Sequence, residues 1–482
     1  MIDSMHRINT KKRRTIILRC LAYGVTVLLS VFTTALLVYI ALGYQFDPRS
    51  GQVTRSGLLL VNAQPSGTSI HLDGQRRTDV PGRFVLQTGQ YNMLLQKDGY
   101  RDWSKDVTIA GSAVESVRYP LLIPENLSST ALRTVNQSPD MVSQSPDQKN
   151  LLAQTRSGQP LTVVELDASA STQRVLDLDD TMTLPLGSLR VLDWTDDSSR
   201  ALVEHRSGNG AREVLSVHTR NADESVNITQ RYRRSAPTQL QYRTNGEVYG
   251  ISSSGTLTRY SLQETQSTPV LEDVSQYASS DANRLVFVRT ADNKTTLEAG
   301  VVDQRSSDAP VILSTVERSA ADGLAIGSLE FDNNWYAVIS DPSAQRADVY
   351  RNPLDTPILA RQLPFTTISF TARQLLASPN GQFLLLQNGQ RSFVYDFDSL
   401  RSYSFTTPQK IRSNRGIGWA TAHHLVVVDD KQQSYVVDFD GTNQQQLQDV
   451  TQTTSVYFDE KRESLYFFAT NGLRHTSLLI EE

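Results

Sequence analysis

The chain has 482 residues, 39% of them hydrophobic and 20% charged, and a formal net charge of −4 at pH 7. Its length allows two or three domains, and its balance fits a folded soluble body plus one anchor while excluding a basic nucleic-acid surface. Cys20 is the only cysteine, which excludes disulfides within the chain and any cysteine-based metal site.

The first element is a membrane span. Residues 20–46 carry no charge, and about 20 apolar residues suffice to cross a hydrocarbon core as a helix. Arg7, Lys11, Lys12, Arg13, Arg14 and Arg19 precede this stretch, and only Arg49 and Arg55 lie close on its far side. Basic flanks stay in the cytoplasm. Lys11, Lys12, Arg13, Arg14 and Arg19 are therefore the topology-determining residues. They place a tail at 1–19 inside, a signal anchor at 20–44 across the membrane, and the rest of the chain outside. Tyr39 and Tyr44 suit the interfacial belt. The alternative is a cleaved signal peptide, with Ala41-Leu42-Gly43 as its small-x-small site. The apolar run exceeds 20 residues where a secretory core has about 7–15, which favours an uncleaved anchor. An exported chain without disulfides suggests a bacterial or archaeal envelope.

After a linker at 45–56, residues 57–123 read as a small β module. Gly57–Ala63 and Ser69–Leu72 are strands, and Asp73-Gly74 is a hairpin signal because both residues tolerate positive φ. Pro81-Gly82 opens a further turn. Strands follow at Arg83–Leu86, Tyr91–Leu95 and around Val107–Ile109. The ordered set Pro65-Ser66-Gly67-Thr68, Leu72-Asp73-Gly74, Gly89-Gln90-Tyr91 and Gly99-Tyr100 resembles the PEGA domain. Pro65-Ser66-Gly67-Thr68 stands in place of the namesake tetrapeptide. The resemblance implies a small β-sandwich of envelope or surface proteins, usually without catalysis. Tyr91, Tyr100 and Trp103 are read as core.

A short linker at 124–130 leads to an internal repeat over 131–482. Each unit offers a strand, a polar turn, an apolar strand, a second turn and a third strand. The turn and second strand read SPDQKNLLAQ (145–154), TDDSSRALVEH (195–205), RTNGEVYGIS (243–252), SSDANRLVFVR (279–289), DNNWYAVIS (332–340), SPNGQFLLLQ (378–387), TAHHLVVVD (421–429) and DEKRESLYFF (459–468). Units begin 36 to 53 residues apart, which brackets a propeller blade. One such sheet exposes two faces and covers neither alone, whereas radial packing buries both. Eight blades of about 44 residues fill the span, with seven as the alternative because the third unit is short. The last unit lacks an obvious fourth strand, and residues 129–135 can supply it and close the ring. Trp194, Phe331, Trp419 and Phe458, where first strand meets turn, are read as packing between blades. The Ser-Pro-Asp and Ser-Pro-Asn starts resemble TolB-like and WD40-like propeller repeats, without a Gly-His…Trp-Asp signature. The fold class is thus mainly all-β: one transmembrane helix, a PEGA-like β-sandwich and a β-propeller.

Motifs that would carry chemistry are missing. The seven histidines, His6, His71, His205, His218, His423, His424 and His475, have no ligand spacing. Ser252-Ser253-Ser254 lacks the spacing of a nucleophile elbow. The acidic sets Asp177/Asp179/Asp180, Asp196-Asp197, Asp429-Asp430 and Asp438/Asp440 lack the twelve-residue calcium loop and read as hairpin turns. No catalytic, cofactor or metal residue is therefore assigned, and no cofactor is expected. The expected protein is a non-enzymatic envelope protein that binds a protein or cell-wall glycan through one end of its propeller. Its other contact is the bilayer, crossed once. The alternative is a sensor or assembly factor acting through a second membrane protein. An enzyme with a site in the channel is a third and weaker reading, and no nucleic acid is expected.

Overall fold

The structure is a computed structural model. It describes residues 3–41, 44–46, 53–132, 139–154, 160–166, 172–176, 187–232, 237–243, 247–280, 283–291, 295–304, 309–317, 324–357, 360–407, 411, 416–431, 433–447, 456–461, 463–469 and 472–480. The chain divides into two compact units, Met1–Glu125 and Asn126–Glu482.

The first unit begins with α1, Asp3–Ala41. Its window Leu21–Tyr39 has a mean hydropathy of 2.1 and is exposed on every side. That length and apolarity suffice to cross a membrane. Thr26 and Thr33 donate their hydroxyls to the carbonyls of Ala22 and Leu29, so these two polar side chains are satisfied within the helix. Lys11, Lys12, Arg13, Arg14 and Arg19 all lie on α1 before the apolar window, and Arg19 is exposed.

Beyond α1 stand two four-stranded sheets. In one, Val53–Val61 pairs with Tyr44–Phe46, with Gly82–Gln87 and, in parallel, with Val114–Val117. In the other, the order is Gln75–Asp79, Ser69–Leu72, Gly89–Gln96, Trp103–Ile109. Alternate residues of both sheets, among them Leu59, Val61, Ile70, Leu72, Met93, Trp103 and Val107, meet in one core, which is the period-two burial of a sandwich. Asp73 and Gly74 have φ of 51° and 76°, the turn conformation that their sequence signals. Tyr100 and Trp103 are buried in this core, while Tyr91 packs at its margin and donates its hydroxyl to the Gln87 carbonyl.

Two readings change here. The segment read as a linker, residues 45–56, carries strand pairing at both ends, because Tyr44–Phe46 pairs with Val53–Arg55. The strand Val114–Val117 was not foreseen. Its four residues join Val53–Val61 in parallel, and a parallel partner leaves no hairpin turn in the sequence.

Among its described residues the second unit holds eight four-stranded sheets in succession. Their first strands are Met141–Gln144, Gly187–Trp194, Thr238–Arg243, Val274–Ala278, Ala325–Phe331, Gln374–Ala377, Ile417–Trp419 and Tyr457–Asp459. These define blades 1 to 8, and the third unit has its full four strands. First strands of successive blades approach one another, as 141–144 does 187–194 and 325–331 does 374–377. First strands therefore lie innermost and the sheets radiate from them. Apolar clusters join neighbours. Val163 and Val203 meet between blades 1 and 2, Val288 and Ala337 between 4 and 5, and Val338 and Leu386 between 5 and 6. The ring closes through Thr130–Ala131, which pairs with Gly472–Ser477 as the fourth strand of blade 8. Ser128 and Ser129 also accept hydrogen bonds from Thr476 and Arg474, so the end of the stretch read as a linker at 124–130 belongs to the ring.

Candidate functional site

The turns between first and second strands gather at one end of the ring. Their sequences favour tight turns, and their side chains cap the turns from within. Ser145 Oγ donates to Asp147 Oδ1 and accepts from the Asn150 amide. Ser378 Oγ does the same with Asn380 and Phe383. The Asp197 carboxyl accepts from the Ser199 amide and hydroxyl. A hydrogen bond from Thr195, and then those from Ser199, hold it below its usual range.

Polar links at this end run from blade to blade. Trp194 Nε1 donates to Ser143 Oγ at 2.9 Å, and the Asp147 amide to Ser198 Oγ at 3.0 Å, joining blades 1 and 2. The Tyr242 amide donates to Asp193 Oδ2 at 2.6 Å between blades 2 and 3. Arg243 donates to Asn283 Oδ1 at 2.6 Å between 3 and 4. Ser280 and Ser328 share a hydrogen bond of 2.7 Å between 4 and 5, beside the pair Arg284–Glu330. Gly381 of blade 6 packs so closely that a Cβ would stand 1.8 Å from the Glu330 carbonyl oxygen. Trp419 Nε1 donates to the Leu376 carbonyl at 3.2 Å between 6 and 7. Gln148 of blade 1 accepts from the Glu460 amide of blade 8 and donates to the Ala420 carbonyl of blade 7. Gln144 donates to the Phe458 carbonyl at 2.9 Å. The indoles of Trp194 and Trp419 thus bind neighbouring blades, as their position at the strand ends suggested.

A pocket of about 260 Å³ opens at this end. Blade 1 supplies Gln144, Ser145, Pro146 and Gln148, blade 6 supplies Pro379, blade 7 supplies Ile417 to Ala420 with Val426 and Val428, and blade 8 supplies Phe458 beside Val456. Four of eight blades can touch one cavity only near the ring axis. The first strands of blades 7 and 8 have three residues each. Among the described residues none of the lining is charged. A second cleft, of about 510 Å³, is lined by blade 3 residues alone, chiefly Ser252, Ser253, Ser254, Thr256, Thr258 and Glu272. It lies along a single sheet.

One ionisable group was missed by sequence reasoning. Burial raises the Asp193 carboxyl to about 6, while amide hydrogens from Tyr242 and Trp194 pull the other way. The register of its strand shifts between Val191 and Asp193. The bulge turns Asp193 toward blade 3, while Trp194 and Val191 pack on the side of blade 1.

The other candidates disperse. His424 opens a strand, is buried, and shares a 2.8 Å hydrogen bond with Thr421 Oγ1. His423 lies in the preceding turn, edge-on to Phe383, with burial lowering its pKa. His205 lies 4.0 Å from Glu213, and His475 is 3.1 Å from Ser464 Oγ. Ser252 to Gly255 form a hairpin turn closed by the Gly255 amide on the Ser252 carbonyl. Asp429 accepts from the Lys431 and Gln433 amides, and Asp440 from the Thr442 amide. Asp177, Asp179 and Asp180 lie outside the described residues. Among the described residues no group of three or more His, Cys, Asp or Glu is placed to hold a metal ion.

Residues 56–122 match the PEGA domain family. No curated protein matches the chain in sequence. Among solved structures the chain is similar to the C-terminal WD40 domain of Sif2, with a TM-score of 0.48 and 9% identity over 74% of this chain and 99% of that one. It is similar to BamB from Moraxella catarrhalis, with a TM-score of 0.43 and 12% identity over 73% and 99%. It is also similar to an oligogalacturonate lyase in complex with manganese, with a TM-score of 0.40 and 11% identity over 73% and 98%. These neighbours are β-propellers, and the likeness concerns fold and not activity.

Proposed function

We propose that the chain is a membrane-anchored, extracytoplasmic envelope protein without enzymatic activity, and that its propeller binds a protein or wall-polymer partner at the end bearing the axial pocket. The observation that carries this reading is the order of parts. A basic stretch, Lys11 to Arg19, precedes the apolar window Leu21–Tyr39, and two all-β units follow. The positive-inside rule sets the direction. Tyr39 stacks on Tyr44 at 4.9 Å, and Arg55 lies over the Tyr44 ring and donates to its hydroxyl. Such an aromatic and basic cluster suits the outer lipid boundary. Against catalysis stands the described lining of the axial pocket, among whose residues there is no acid or base and one hydroxyl, Ser145, which caps its own turn.

The test uses the full chain with a tag after residue 482. Protease added to intact cells (or to cells with permeabilised outer layers) should remove the tag. The detergent-purified chain should retain either isolated wall polymer or one stoichiometric protein from envelope extract. A protected tag overturns the localisation, and failure to retain either material overturns the binding role.

A further inference from the structure

We infer that the outward face of the sandwich sheet built on Val53–Val61 lies against the surface of the bilayer that the span crosses, and that it favours anionic headgroups. This rests on the reading of α1 as an uncleaved anchor and adds a second contact to the one proposed for the propeller. Three observations carry it.

The first is the make-up of the face. Leu59, Val61, Leu86 and Val117 are buried in the sandwich core, so strand alternation turns Leu58, Leu60, Val85 and Val114 outward. Register sets Val85 and Val114 on either side of Leu58, in one row across three strands. Outside α1 few large apolar side chains of the described residues stand in solvent, yet Val85 is 59% and Val114 60% exposed. A contiguous apolar row on a sheet marks a surface that meets something other than water.

The second is charge. Arg83 is the register partner of Leu60 and is exposed, and Arg118, also exposed, follows the strand Val114–Val117. The described outward positions of these three strands hold no acidic residue. Apolar area with basic charge is what an anionic lipid surface attracts. A polyanion without an apolar part would answer the arginines and leave the valines in water.

The third is position. The strand Val53–Val61 pairs with Tyr44–Phe46, which begins three residues after α1 ends at Ala41. Tyr39, the last residue of the apolar window, stacks on Tyr44, and Arg55 lies over the same ring. Leu58 is three strand residues beyond Arg55, about 10 Å, and the polar zone outside the hydrocarbon core is about 5–7 Å deep. A lean of the sandwich toward the bilayer brings the row into the headgroups, and the anchor holds it there at high effective concentration.

The experiment uses the full chain in vesicles of phosphatidylcholine, alone or mixed with phosphatidylglycerol. Cys20→Ser removes the only cysteine, and Ser116→Cys or Gln75→Cys then carries a nitrobenzoxadiazole probe. Ser116 lies beside Leu60 on the face, and Gln75 lies on the edge strand of the other sheet, both exposed. In mixed vesicles the probe at 116 should be blue-shifted, and quenched several-fold more by headgroup spin-labelled lipid, relative to the probe at 75. Neutral vesicles should weaken both effects. Val85→Glu with Val114→Glu, at exposed sites where the fold tolerates change, should abolish the difference between the probes. Arg83→Gln with Arg118→Gln should abolish only the dependence on phosphatidylglycerol. Equal emission and quenching at the two sites overturns the inference, as does a shift that survives Val85→Glu with Val114→Glu. A blue-shifted probe at 116 that the lipid quencher does not reach also overturns it, because protein then covers the face. An equal effect in neutral vesicles overturns the preference for anionic headgroups. Alkaline extraction separates this inference from the reading beneath it. A chain that stays in the vesicles with a water-exposed probe at 116 keeps its anchor and loses this contact, and a chain that washes out overturns both.

Discussion

Asp193 carries the largest charge cost described in the ring. Its carboxyl is protonated more readily folded, near 6, than unfolded, at 3.8. The folded state therefore binds the extra proton between those values. Stability contributed by this group is greatest below about pH 4 and falls as pH rises through 6. At neutral pH the cost is on the order of 3 kcal/mol. Asparagine keeps an oxygen to accept the Tyr242 amide and removes the charge. Asp193→Asn should raise the melting temperature at pH 7.5 and leave it near wild type at pH 4. Melts of both proteins across that range check the difference. Asp193 was illegible in the string Val191-Leu192-Asp193-Trp194 for a definite reason. Strict alternation places residues 191 and 193 on one face, and the bulge breaks it. Gly381 shows another local constraint. Its φ is +72° and a Cβ would meet the Glu330 carbonyl oxygen at 1.8 Å. Gly381→Ala should cost about 2–4 kcal/mol from left-handed backbone and overpacking combined, read by urea unfolding.

Among the elements, the turns and second strands were the most legible. Ser-Pro-Asp at 145–147 and Ser-Pro-Asn at 378–380 name their turns chemically, and runs such as Leu384 to Leu386 are buried on both faces. The closing strand was legible only as a vacancy in the last unit. Thr130–Ala131 has two residues and no signature of its own. Its hold comes from Leu132, buried in the cluster of blades 8 and 1, whose amide donates to the Leu473 carbonyl at 2.9 Å. Leu132→Ala should cost about 2–3 kcal/mol. Amide exchange should rise in both 130–132 and 472–477 and remain slow in blade 4. Uniform exchange across blades would refute a seam at this place. The links that make the ring end could not be read from the chain at all. Gln148 meets Ala420 and Glu460 across 272 and 312 positions, and no local pattern encodes such a pairing.

For the molecule as a whole, the two units hold separate cores, one around Trp103 and Met93 and the others between blades. Units with their own cores unfold on their own. Calorimetry of the full chain in detergent should resolve two transitions. Trp103→Ala, at about 3–5 kcal/mol, should lower one, and Leu132→Ala only the other. A single merged transition moved by both changes would refute this. The axial pocket belongs to this scale too, since blades 1, 6, 7 and 8 all line it. Sequence showed a propeller and left both of its ends equivalent.

Closing the ring joins Thr130 to His475, 345 positions later. During synthesis, then, seven blades are complete while the strand meant for the eighth waits without a partner. Every nascent chain passes through a stage in which the apolar flanks of blades 1 and 7 have no neighbour to cover them. Such surfaces are where misassembly and aggregation begin. The residues of blade 8 therefore decide whether the product is a ring or an open, sticky arc, and a chain cut short before Gly472–Ser477 is left as the arc.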